Sequence, residues 1–339
     1  MKISHATHIK NINETNGYGY ATTNMVASLT RLGYHIEQND ASADVQIAFD
    51  QPHQWRFIDG IYRIGYHPWE STKLKPGWVK IMNECDEIWT PSPLIADWYR
   101  ADGITVPVHV YEHGVDAKRW YPKKRKVENK MRFLHVGLEA ARKGGSETMR
   151  AFRTAFPNND DVELTMKTIQ DGWNIDQIGR AKILNKKMSL TALVDLFHAH
   201  HVFVYPSYGE GFGLNPLQAM ATGMPVITVP AWAPYKDFLD PNLMVDSLLV
   251  KTQWSRGHHP GKMFKPKFDD IVDRMRYAYE NYDEVECTAH QRTFEIVVHY
   301  DWDRLTKEAF GALENRLEIS EKVLPANSFG GMMVEHQKI

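Results

Sequence analysis

Between Tyr205 and Val229 the chain reads YPSYGEGFGLNPLQAMATGMPVITV, and this stretch most limits the folds open to it. The run HVFVYPS, from His201 to Ser207, is short, β-branched and aromatic, the composition of a buried strand. A turn follows that holds Gly209, Gly211 and Gly213, with Glu210 inside it. Asn215 is expected to cap the next helix and Pro216 to take its first position. Gly223 ends that helix and Pro225 opens a second strand. Strand, turn, helix and strand in this order are an α/β unit. Its turn presents backbone N–H groups and a positive helix end to an anion, most often a phosphate.

The 339 residues suit two domains of ordinary size. Hydrophobic residues at 43% against 24% charged give a globular chain with a sizeable core. A net charge of −2 supplies no overall basic field for nucleic acid or an anionic membrane. Cys85 and Cys287 are too few for a disulfide framework, so a reducing, cytoplasmic compartment is expected. The start MKISHATHIK has no apolar core of a secretory signal, and no apolar run reaches the length of a membrane span.

Elements are expected in alternation. A strand at Lys2 to Thr7 precedes NGYGYATTNMVASLTRLGYHI, a helix preceded by Gly17 and Gly19 and ending at Gly33. The long loop, and Thr22 where a third glycine would stand, make this a poor dinucleotide fingerprint. Strands at Val45 to Phe49, Ile61 to His67 and Glu87 to Ser92, a helix near Trp78 to Asn83, helix PLIADWYRADG and strand VPVHVYEHG follow. This alternation predicts a parallel, doubly wound sheet. KKRKVENK, Lys123 to Lys130, is a charged linker, although the overlapping PKKRKV, Pro122 to Val127, also resembles a nuclear localisation signal. A second such unit begins at RFLHVG, with helix SETMRAFRTAF, strand DVELTMK and a helix near Leu190 to His200 leading into the glycine turn. Helix DDIVDRMRYAYENY comes later, and the stretch from Lys322 is a loose tail.

The 205–229 segment resembles the signature of family-four retaining glycosyltransferases of the GT-B fold. That pattern runs Pro-Ser, a spacer, Glu-Gly-Phe-Gly-Leu, Pro, a second Glu, Ala-Met-Ala, Gly and Pro-Val-Ile. The resemblance implies two Rossmann-like domains facing a central cleft: residues 1–125 on the acceptor side, 126–300 binding the nucleotide sugar, a closing helix over 301–321 that returns to the first domain, and the tail 322–339. It implies sugar transfer from a nucleotide-diphosphate sugar, UDP- or GDP-linked, to a hydroxyl acceptor with retention of configuration, and no metal or other cofactor. Glu210 matches the glutamate beside the donor sugar. Gln218 stands where the family has its ribose-binding glutamate; its amide still hydrogen-bonds a hydroxyl but brings no charge. Gly211, Phe212, Gly213 and Leu214 would offer backbone donors, and the glycine loop at Gly17 and Gly19 would approach the donor phosphates. Arg142 and Lys143 match the family's Arg-Lys-Gly, whose cations grip the diphosphate. Leu138 and Glu139 replace a further arginine that many members carry. His67 matches a histidine at a strand end near the reacting sugar, and Trp69 with Glu70 resembles a Trp-Glu pair on the acceptor side. HGVDAKRWYP, His113 to Pro122, resembles the handover between domains, with His113 at a hinge.

Other clusters carry competing readings. His198 and His201 lie one helical turn apart but lack a third metal ligand, so packing is expected. Asp301-Trp302-Asp303 looks like a metal-holding Asp-x-Asp, but its place on the closing helix argues against that role. KTQWSRGHHPGKMFKPK, Lys251 to Lys267, interleaves Trp254 and Phe264 with basic residues. With KILNKK, Lys182 to Lys187, it would suit a phosphate backbone and stacked bases. A glycosyltransferase acting on hydroxymethylated DNA bases is therefore one alternative. An inactive sugar-nucleotide or glycan-binding protein, motivated by Gln218 and the missing arginine, is the other.

Overall fold

The computed structural model describes residues 1–6, 16–137, 141–169, 177–178, 180–251 and 258–323. The first half holds β1 (Lys2–His5), α1 (Gly17–Arg31), β2 (His35–Gln38), β3 (Val45–Phe49), β4 (Tyr62–Tyr66), α2 (Trp78–Met82), β5 (Glu87–Thr90), α3 (Pro93–Ala101) and β6 (Val108–Val110). Its six strands lie in the order 2-1-3-4-5-6, all parallel. β3 is buried along its whole length, as its apolar composition requires of a strand covered on both faces.

The second half repeats the plan with β7 (Met131–Val136), α4 (Gly145–Ala155), β8 (Val162–Thr168), β9 (Gln177–Ile178), β10 (Ala181–Asn185), α5 (Leu190–His198), β11 (Val202–Tyr205), α6 (Leu214–Ala221) and β12 (Val226–Thr228). The order is 12-11-7-8-10-9, and β9 alone runs antiparallel to its neighbour. In each half the strand order reverses once, between β1 and β3 and between β7 and β11. In open α/β sheets such reversals open a crevice at the carboxyl ends of the strands. Both Rossmann-like sheets thus offer a ready-made site, and the chain is GT-B in architecture.

A hairpin of β13 (Ser247–Val250) and β14 (Met263–Pro266) follows, then α7 (Phe268–Glu280), α8 (Tyr282–His299) and α9 (Trp302–Val323). α9 packs back on the first half. Asp303 accepts from Ser28 Oγ at 2.6 Å and pairs with Arg31, and Arg316 reaches the buried Glu87 at 2.9 Å. Asp301 accepts from the Arg304 amide. The two aspartates of the Asp-x-Asp therefore begin α9 and dock it. Among the described residues no helix is long and apolar enough to cross a membrane.

Several expectations need correction. Asn215 is not the cap of α6. Gly213 is, at φ 89, and Asn215 Nδ2 instead donates to Val136 O at 2.9 Å. Pro216 consequently sits in the third helical position. The strand expected over VPVHVYEHG is confined to Val108–Val110. The charged linker is not a free basic run. Arg125 is 7% exposed, and its guanidinium donates to the carbonyls of His200 and Thr222 and to Thr222 Oγ1. β2, β10, the hairpin and α8 carry no expectation from sequence. α8 buries only four side chains, Tyr282, Val285, Thr293 and Ile296, too sparse a stripe to show as a helical period. Thr7, Leu138, Glu139, Trp254 and the tail from 324 lie outside the described residues.

Candidate functional site

The crevice at the β7/β11 reversal receives two loops. Arg142 and Lys143 lie on a short 3-10 turn over Ala141–Lys143, and Gly144 follows at φ 72. A side chain on Gly144 would run into the Pro206 carbonyl, so this glycine lets the cationic turn lie against the signature turn. The loops are stitched by Tyr208 N, which donates to Arg142 O at 2.8 Å, with Ser207 Oγ 3.0 Å from the same carbonyl.

Glu210 is 8% exposed and fully engaged. Lys143 Nζ donates to its two carboxylate oxygens at 2.9 and 2.8 Å, Arg142 Nη1 to Oε1 at 3.0 Å, Ser207 Oγ at 2.7 Å and Tyr205 Oη at 3.1 Å. Burial works to raise its pKa, but Lys143 and then Arg142 hold it below the ordinary carboxylate value. Lys143 is itself pushed below the usual ammonium value by burial and by Arg142. Arg142 continues outward to Glu70 Oε1 at 3.3 Å, and Glu70 Oε2 meets His259 Nε2 at 3.0 Å. Burial opposes ionisation of Glu70, yet Arg142 and His259 bring its pKa down to about 2. The result is a chain of paired side chains along the cleft, His259–Glu70–Arg142–Glu210–Lys143.

Two helix starts converge on the same place. Gly213 begins α6, where Tyr235 and Trp232 leave no room for a side chain, and a Cβ on Gly17 at the start of α1 would lie 4.0 Å from Leu214. The first-turn N–H groups of both helices lack intrahelical partners and carry the positive dipole end. Gly19 N donates to Asn16 Oδ1. Phe212 is buried against His113, with ring centres 5.1 Å apart. Gln218 is buried. Its Oε1, the Tyr20 hydroxyl and Trp120 Nε1 find no hydrogen-bond partner of good geometry among the described residues, although Tyr20 lies beside both others.

From the first sheet, His67 leaves the end of β4. Its ring is 1% exposed, Tyr18 Oη lies 3.3 Å from Nδ1, and Trp69 and Trp78 pack on it at 5.6 and 5.1 Å. Burial lowers its pKa to about 3, against a hydrogen bond to the Asp50 backbone, so the ring is neutral. Trp69 turns inward, its Nε1 donating to Lys73 O, while Glu70 next to it points to Arg142. The structure thus brings Glu70 to the cations named for the donor. His113 is wedged between Phe49, Tyr66, Phe212 and Trp302 where the halves meet.

His198 and His201 are bound to backbone: His198 Nε2 to Tyr121 O, His201 Nδ1 to the Arg132 amide. Phe264 stacks on Trp98 at 5.9 Å and is not a free base platform. Sequence reading missed Tyr18, Tyr205, Ser207 and His259. The first sits between the two glycines already singled out, and Tyr205 and Ser207 lie in the signature itself. His259 has no local signal at all.

With this geometry in place the likenesses can be read. By fold and crevice the molecule belongs to the GT-B class. Residues 125–253 match the family described as glycosyl transferases group 1. The chain is 30% identical over 129 residues to the glycogen synthase of Mycobacterium tuberculosis, covering 36% of this chain and 31% of that one. It is 29% identical over 187 residues to the lipopolysaccharide core biosynthesis mannosyltransferase LpsB of Rhizobium meliloti, covering 48% and 51%. The match thus spans about a third to a half of these relatives' lengths. In structure it resembles sucrose-phosphate synthase from Thermosynechococcus elongatus, with TM-score 0.70 at 14% identity over 94% of this chain and 100% of that one. It also resembles HepE of Anabaena, solved with UDP and glucose, with TM-score 0.65 at 12% identity over 92% and 99%.

Proposed function

We propose that this protein transfers a sugar from a nucleotide-diphosphate donor to a hydroxyl acceptor with retention of configuration and without a metal. The observation that carries the reading is the buried Arg142–Glu210–Lys143 cluster beside the α6 N-terminus, at the reversal point of the second sheet. Departure of a nucleoside diphosphate leaves negative charge that preorganised cations and helix N–H groups stabilise before any solvent rearranges. Lys143, Arg142 and the first turn of α6 are those cations and N–H groups. The C1–O bond to the phosphate breaks, the C1–O bond to the acceptor forms on the same face, and the acceptor proton leaves with the phosphate oxygen.

Glu210 orients the sugar and keeps the two cations in place, and Gln218 receives the ribose. His67, neutral at the end of β4, is a hydrogen-bond partner for the transferred sugar rather than a charged group. UDP in the HepE structure and the mannosyltransferase relatives support UDP- or GDP-linked donors. Residues 1–125, as the acceptor-side unit, would close on this donor unit and exclude water.

A thermal-shift series with UDP- and GDP-sugars, with and without a chelator, tests the proposal. One donor should raise Tm, and the chelator should leave the rise intact. No stabilisation by any donor would leave a donor-independent binding protein as the better account.

A further inference from the structure

Glu70 belongs to the first half, in the loop after β4, yet its carboxylate is shared between Arg142 and His259 of the second half. The loop does not simply touch the second half; it is clasped. Thr72 N donates to Lys262 O at 3.1 Å, and Lys262 N donates back to Thr72 Oγ1 at 2.8 Å. Gly261 lies so close to Thr72 and Lys73 that a side chain there has no room. His259 packs on the Trp69 ring at 4.8 Å. The clasping segment is anchored in turn on the signature turn, where Phe264 N donates to Tyr208 O at 2.7 Å. Residues 258–264 are therefore a strap from the donor turn across the cleft to the loop that holds Glu70.

Arg142 is one of the two cations read above as the diphosphate grip, and a carboxylate from the opposite half holds it. We infer that Glu70 is an internal counter-anion, a latch that occupies Arg142 when no donor is bound and must yield it to the donor diphosphate, staying on His259 and the strap as it does so. This rests on the donor reading of the site. A dianionic diphosphate brings more charge to Arg142 than one carboxylate, so the exchange favours the donor, but at the cost of the lost ion pair. Affinity is reduced by the fraction of molecules in which the latch is closed. The latch gives the ligand-free cleft a neutralised interior and selects for ligands with enough charge to open it.

The test is calorimetric titration of the full chain with UDP and GDP, comparing wild type with Glu70→Gln. The amide keeps the size and the hydrogen-bonding capacity but not the charge. Loss of the competitor should tighten nucleoside-diphosphate binding about tenfold, on the scale of typical coupling free energies in proteins. Uridine, which carries no phosphate, should bind both proteins equally. Unchanged or weaker diphosphate binding by the variant overturns the latch while leaving the donor site standing. If neither protein binds a nucleotide, the donor reading itself fails. The latch is then judged without ligand, by amide hydrogen exchange. Glu70→Gln should speed exchange at the Thr72 and Lys262 amides, and unaltered exchange there overturns it.

Discussion

The two walls of the cleft are built from different materials. On the second half, the wall is charge: two cations and a glutamate, each with several partners, drawn from two adjacent loops. On the first half, it is shape: His67 and His113 held neutral among Tyr18, Phe49, Tyr66, Trp69 and Trp78, with the Glu70 carboxylate reaching across to Arg142. The difference fits a division of labour. A leaving diphosphate needs fixed charge, which is strong only where water is excluded. Aromatic surface excludes that water and gives a sugar ring an apolar face, without adding charge that would compete for the phosphates. The charged wall is also the one whose residues stand close together in sequence.

The sharpest way to break this contrast is to remove a cation. Lys143→Ala should lower donor turnover by roughly 10²-fold or more, the scale of losing one preorganised donor to a developing negative charge. It should also lower Tm, because the buried Glu210 would lose the cation that meets both its oxygens. Lys143→Arg, which keeps the charge, should recover much of the stability. Turnover that survives Lys143→Ala would place the leaving group elsewhere.

Acidification probes the buried histidines of both halves together. Burial lowers the pKa of His67 and His113 to about 3, and of His135 and His200 to about 4. Unfolded, each would take a proton near pH 6.5. Between that pH and about 4 the unfolded chain therefore binds more protons than the folded one, so stability falls as pH falls. Glu70, lowered to about 2, adds to the loss at the acid end of that window. Tm should be flat above about pH 7 and drop steeply below about pH 6. His67→Asn should make the drop shallower. A Tm unchanged down to pH 5 would mean that these rings are charged in the folded protein, and the neutral wall would have to be abandoned.

How much of this was legible follows from the same contrast. The signature turn, Glu210, Arg142 and Lys143 could be named because a glycine turn and a helix start are local devices, and the residues that build them are contiguous. Tyr18 was hidden because its role depends on the position of His67, 49 residues on. His259 was hidden more deeply: its partner Glu70 lies 189 residues away, and its own segment looks like a basic loop. Arg125 was misplaced because a charged run in a linker looks solvated, whereas here backbone carbonyls of β11's approach and the end of α6 surround the guanidinium. Edge strands such as β2, half exposed, and helices such as α8, with few buried positions, lack the apolar contrast that marks an element in sequence.

The smallest effect separates a local rule from a long-range contact at a single atom. Sequence rules make Asn215 a helix cap, and aspartate is as good a cap as asparagine. On that account Asn215→Asp is neutral, or slightly stabilising, because a carboxylate at a helix N-terminus gains from the dipole. The structure instead has Asn215 Nδ2 donating to Val136 O at the end of β7, the strand that leads to Arg142. A carboxylate cannot donate, and it would face the carbonyl with like polarity. The lost bond and the uncompensated acceptor cost about 1–3 kcal/mol, of which the dipole returns at most about 1. Asn215→Asp should therefore lower stability by about 1 kcal/mol in denaturant titration, and Asn215→Ser, a good cap with a hydroxyl too short to reach Val136, should do the same. If both variants match the wild type, α6 is capped by its own residue 215 after all. The tie that carries order from the charged turn of α6 to the strand before Arg142 would then have to be sought in another pair.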